Sequence, residues 1–110
     1  METVRASYVW PGPDRDVLTL LAEPSPGLWA VAPVDSEIAV ILELDDEERE
    51  TGRIAGVELV GFLSFGRWDD LPELPMQWQL PSRKPLPLTD LLKRLQRQLR
   101  ARASKEKQVA

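Results

Sequence analysis

Residues 38–62 read IAVILELDDEERETGRIAGVELVGF, two apolar runs around an acidic loop, and no other part of the 110-residue chain states its structure as plainly. Ile38, Val40, Leu42 and Leu44 alternate with Glu37, Ala39, Ile41 and Glu43. That period of two is expected of a strand with one face on a core. The return run, Arg53 to Val60, is rich in β-branched residues and holds Gly56, where a missing side chain marks a bulge or the close approach of another backbone. Together they predict a central β-hairpin.

Working outward, Ala6–Trp10 reads as a strand that stops at Pro11-Gly12-Pro13, which cannot continue a ladder. Asp14 and Asp16 then precede a second strand, Val17–Ala22, which closes a first hairpin. Pro24, Pro26 and Gly27 end it, a third strand runs from Leu28 to Val34 with a break at Pro33, and Asp35-Ser36 turns the chain into the central hairpin. Beyond Phe62, Asp69, Asp70 and Pro72 open at most a single helical turn, because Pro75 forbids more. Residues 72–87 read as a Pro-rich extended arm. Thr89 as N-cap and Asp90 in the first turn begin a helix over 88–103, and Leu88, Leu91, Leu92, Leu95 and Leu99 form one apolar stripe along it. The terminal SKEKQVA is expected to fray. The pattern is α+β: a small antiparallel sheet built from hairpins over 1–71, the arm, and a C-terminal amphipathic helix, all in one domain.

Composition bounds the chemistry. With no cysteine and no histidine, disulfides, thiolate nucleophiles and imidazole ligands are excluded, and with them most zinc sites and hydrolase triads. No nucleophile motif, Gly-rich phosphate loop or metal-ligand spacing occurs, so neither an enzyme nor a cofactor is expected. The N-terminal METVRASYVW resembles no signal peptide, and no run approaches the roughly 18 apolar residues of a membrane span, so a cytoplasmic location is the default. The net charge of −4 conceals a division. Residues 1–80 carry five basic against sixteen acidic groups, and residues 81–110 carry nine basic against two acidic. Such a chain either folds its basic tail onto its acidic body or shows surfaces of opposite sign to different partners.

Four places invite a functional reading. The acidic loop Asp45-Asp46-Glu47-Glu48-Arg49-Glu50 suggests a cation, but adjacent turn residues point apart and lack the alternation and central Gly of a calcium loop, so a solvated hairpin tip is the simpler account. Glu58 sits among apolar strand residues and wants a partner, Arg53 or Arg67. Of the four tryptophans, Trp10, Trp29, Trp68 and Trp78, the last two are the better interface residues because their Pro-rich neighbours resist regular structure. On the helix, Arg94, Arg97, Arg100, Arg102 and Lys105 offer phosphate contacts, while the leucine stripe must dock on the sheet of the same subunit or on a symmetric partner. An anionic membrane would want Trp or Phe beside those leucines, so none is expected.

The stretches Tyr8, Asp16-Val17-Leu18, ILELDDE and Gly52-Arg53-Ile54-Ala55-Gly56-Val57-Glu58-Leu59-Val60 together resemble the small bacterial proteins grouped as domain of unknown function 2283. The likeness covers residues 8–62, with a longer, proline-laden first turn and extra residues in the acidic loop. It implies a small antiparallel sheet with a helix packed on it, and an antitoxin-like role. The expectation is therefore a non-enzymatic interaction or scaffold protein, homodimeric, binding a further protein partner. The alternative is a nucleic-acid-binding accessory protein working through the basic helix.

Overall fold

The computed structural model describes residues 2–24 and 27–109. Seven strands, β1 (Thr3–Val9), β2 (Val17–Ala22), β3 (Leu28–Pro33), β4 (Ile38–Leu44), β5 (Glu50–Val60), β6 (Gln77–Gln79) and β7 (Leu86–Pro87), form one sheet in the order β3-β4-β5-β2-β1-β6-β7. A single long helix, α1 (Leu88–Val109), follows, and 3-10 turns lie at Phe62–Ser64 and Trp68–Asp70. The α+β class holds at this level, with a sheet that is mostly antiparallel and mixed.

The mixed character corrects the expectation of a wholly antiparallel sheet. β6 lies inside the stretch read as a free arm and pairs parallel to β1, with Val4 beside Trp78 and the Gln77 N–H donating to the Glu2 carbonyl at 2.8 Å. A parallel neighbour needs a long crossover, and the whole of β2 to β5 supplies it. Prolines at 75 and 81 bracket the short strand without entering its ladder. The helix also departs from expectation: it begins at Leu88, so Thr89 lies inside it, and it continues through Val109 instead of fraying after residue 103.

Register decides which residues meet the helix. Leu18, Leu59 and Ile38 stand in one row across β2, β5 and β4, and Tyr8, Leu20, Val57 and Val40 in the next. Most of these join Ala6, Phe62, Phe65, Trp78, Leu80 and the five stripe leucines of α1 in one core. The stripe is therefore buried within the subunit, so it is a docking stripe in cis and no dimer surface. Each such leucine contributes about 1.5–3 kcal/mol by leaving water.

Two local devices shape the sheet. Between Ile41↔Gly56 and Leu42↔Ile54 the register slips, leaving Ala55 as the extra residue of a bulge. At Gly56 a Cβ would collide with the Leu20 carbonyl oxygen, so glycine is what lets β5 approach β2 this closely. Asp16 ties the sheet to the helix layer. Its carboxylate accepts from Trp10 Nε1 and from the Leu63 N–H, both at 2.8 Å, and its carbonyl accepts from the Gly61 N–H at 2.7 Å.

Candidate functional site

Since α1 covers one face of the sheet, the other face is lined by the alternate residues: Val9, Thr19, Glu58 and Ala39 in one row, and Leu21, Gly56, Ile41 and Val31 in the next. Ile41 is fully buried there, while Val9, Trp29, Val31 and Val60 are exposed. This face runs to β3, one of the two edge strands of the sheet.

The edge itself can be read group by group. The Val34 N–H donates to the Ile38 carbonyl at 2.8 Å, so the Val34–Ile38 pair is hydrogen-bonded, and alternation makes Ala32–Val40, Ala30–Leu42 and Leu28–Leu44 hydrogen-bonded too. The N–H and C=O groups of Trp29 and Val31 therefore point away from β4. Pro33, next in that outward set, has no N–H to offer, which is where an edge tolerates proline. Nothing in Leu28–Pro33 is charged, and Trp29 and Val31 are 46% and 45% exposed. Sheet edges are commonly blunted by lysine, proline, short length or cover, and within Leu28–Pro33 only Pro33, at one end, does so.

The residues singled out on the helix divide. Arg94, Arg97, Arg102 and Lys105 are exposed and, among the described residues, stand within 4 Å of no carboxylate, since the ion pairs all belong to Arg49, Arg53 and Arg67. Arg100 is partly committed to the fold, because its Nε donates to the Leu63 carbonyl at 2.6 Å. Trp68 lies edge-on to Phe65, ring centres 5.0 Å apart, with Lys93 Nζ 5.8 Å above its ring. It is half-buried and helps seat α1. Trp78, expected at an interface, is instead fully buried in the core, and its Nε1 finds no partner among the described residues.

The acidic loop is a hydrogen-bonded turn. Asp45 Oδ1 accepts from the N–H groups of Glu47 and Arg49 at 2.9 and 3.0 Å, and the Arg49 guanidinium turns back onto Glu47. Among the described residues no group of three or more acidic side chains is placed to hold a metal ion. Neither arginine foreseen for Glu58 reaches it. Arg53 lies 3.7 Å from Glu43, and Arg67 reaches Asp35, Asp70 and Glu37 at 2.6, 2.9 and 3.9 Å. The Arg67 hydrogen bond holds the Asp35 carboxyl below its ordinary range, and the two aspartates raise Arg67 in return.

Sequence reasoning missed Gln96. It is buried, and its Nε2 donates to the Phe62 and Phe65 carbonyls at 2.8 and 2.7 Å, pinning α1 to the 3-10 turn. The signal was present, since Gln96 follows Leu92 by four and precedes Leu99 by three, a polar residue inside the stripe. No protein-family model, curated protein or solved structure matches the chain. No helix among the described residues is long and apolar enough to cross a membrane.

Proposed function

We propose that the chain is a non-enzymatic interaction protein that assembles through β3, and that its partner at that edge is a second copy of itself. The observation that carries this reading is the uncharged edge with its outward Trp29 and Val31 groups. An antiparallel pairing of β3 with its symmetry mate, centred on Ala30, sets Trp29 opposite Val31 of the other copy. Both outward N–H groups of each strand then meet outward carbonyls, and Pro33 ends the ladder. The indole gains an aromatic–β-branched cross-strand pair, worth about 0.2–1 kcal/mol beyond an alanine pair. No charged residue within the strand opposes a like charge. Kinship with domain of unknown function 2283, and an antitoxin-like role in which the paired scaffold holds a further protein, belong to the same proposal. Light scattering after size exclusion tests it. We expect a dimeric mass at tens of micromolar, and a folded, monomeric mass for Val31→Lys that melts below the parent by the stabilisation the pairing supplied. A monomeric parent chain at that concentration would refute the pairing.

A second reading is supported by Arg94, Arg97, Arg102 and Lys105 of α1, which form no ion pair among the described residues and suit a polyanion. Here the body, with its excess of carboxylates, works against phosphates.

A further inference from the structure

On the face of the sheet away from α1, Glu58 stands alone among uncharged residues. Its cross-strand neighbours are Thr19 on β2 and Ala39 on β4, and Gly56 lies two positions along β5 on the same face. Cross-strand neighbours stand about 4.5–5.5 Å apart, so three small residues leave the half-buried carboxylate in a hollow. Around it the face is apolar. Of the six large apolar side chains that are exposed among the described residues, Val9, Trp29, Val31 and Val60 belong to this face, and such a concentration marks an interaction surface. No arginine or lysine comes within 4 Å of the Glu58 carboxylate among the described residues.

We infer that this face docks an amphipathic helix of a partner protein whose apolar stripe carries one arginine, the guanidinium entering the hollow onto Glu58. Covering the valines takes the carboxylate out of water, which is costly unless the covering surface brings a cation that hydrogen-bonds both oxygens, as a guanidinium does. A second copy laid face to face brings none, because the strand rows on either side of Glu58 hold no basic residue and would set one Glu58 toward another. Nucleic acid and anionic lipid meet the same carboxylate with like charge. The form of the occupant follows from the other face of the same sheet. There α1 lays a leucine stripe on apolar strand residues, and one polar member of the stripe, Gln96, meets fixed carbonyls of the body at 2.8 and 2.7 Å. A helix on each side gives the layered arrangement that buries a sheet apolar on both faces. Such a site rests on the interaction role proposed above, but not on pairing at β3.

Fluorescence anisotropy of the full chain with labelled, stapled helical peptides tests it. One peptide carries a leucine stripe with a single central arginine, a second has citrulline there, which keeps the shape and loses the charge, and a third has glutamate. The arginine peptide should bind about tenfold more tightly than the citrulline one, the margin between charged and neutral hydrogen bonds. Glu58→Gln should keep the parent melting temperature and remove that margin. Glu58→Arg should reverse the order, binding the glutamate peptide and releasing the arginine one, which a merely structural Glu58 would not do. Val60→Lys, next to Glu58 on this face of β5, should weaken the arginine peptide by about tenfold or more. Equal affinity for the arginine and citrulline peptides, indifference to either Glu58 variant, or no binding at tens of micromolar would each overturn the inference. So would an assembly of the parent chain that Val60→Lys splits, since a second copy would then cover the face. Mass reads the β3 edge separately: a monomer that binds the arginine peptide refutes the pairing alone, and a dimer that ignores it refutes this site alone.

Discussion

Asp16 shows how much one side chain of this fold does. One carboxylate oxygen takes the Trp10 indole N–H and the other takes the Leu63 N–H, so the first hairpin, β5 and the turn beneath α1 are joined at a single residue. Hydrogen bonds to a charged group are worth about 1.5–3 kcal/mol, and deletion strands two donors. Asp16→Ala should therefore cost about 2–4 kcal/mol in urea unfolding, with Asp16→Asn intermediate because it keeps one acceptor. Gly56→Ala should be comparably damaging for a different reason, the collision with Leu20. At Arg67 the consequence is a pH dependence. Asp35 is held below its ordinary value of 3.8, so its contribution is complete above that pH and disappears as pH falls through the lower folded value. Stability measured from pH 5 down to pH 2 should fall less steeply below pH 4 for Arg67→Gln than for the parent chain. An unchanged slope would mean that the guanidinium does not hold that carboxylate in solution.

At the scale of elements, the two that were legible are the two whose information is local. β4 announces itself by apolar residues at every second position from Ile38 to Leu44, with Ile41 buried on the opposite face as the exception, and α1 by leucines at helical spacing. β6 was not legible. Its Gln77-Trp78-Gln79 carries one apolar residue between prolines, and its partner β1 lies at the other end of the chain, so nothing within a window around Trp78 says that it will be covered. The β3 edge was half legible: the strand could be read, but which of its N–H groups stay free depends on register with β4. Burial of Trp78 brings a cost the sequence also conceals, an indole N–H without an acceptor among the described residues. Trp78→Phe removes that cost while losing part of the ring, and should change stability by no more than about 1 kcal/mol, against about 3–5 kcal/mol for Trp78→Ala. Chemical denaturation of both variants measures the difference. For α1, Leu95→Asp should unfold the monomer, since that position is sealed in the core and not on a detachable dimer surface.

The whole molecule keeps its two charge fields apart. α1 folds onto its own acidic body through leucines, yet the cations from Lys93 to Lys105 form no ion pair among the described residues, so their neutralisation in cis is at most long-range. Antiparallel pairing at β3 would place the two-fold axis perpendicular to the sheet, which puts both helices on one side of a continuous sheet and both open apolar faces on the other. Two basic helices on one side favour a polyanion by avidity, and sixteen acidic groups per body oppose it. The contest is settled by distance and screening. At physiological salt the Debye length is about 8 Å, so phosphates lying against α1 still feel carboxylates close beside the helix. Arg94, Arg97, Arg102 and Lys105, exposed cations of α1 with no ion pair among the described residues, would contribute about −0.9 each to the slope of log affinity against log salt on a duplex. Four such contacts lose a large factor between 50 and 200 mM salt and leave little at the upper end. The full chain should therefore bind duplex DNA weakly at low salt and not measurably at physiological salt, and a peptide of residues 81–110, freed of the body, should bind more tightly at every salt. Anisotropy titrations on both decide it: salt-resistant binding by the full chain would make nucleic acid the leading function in place of assembly through β3.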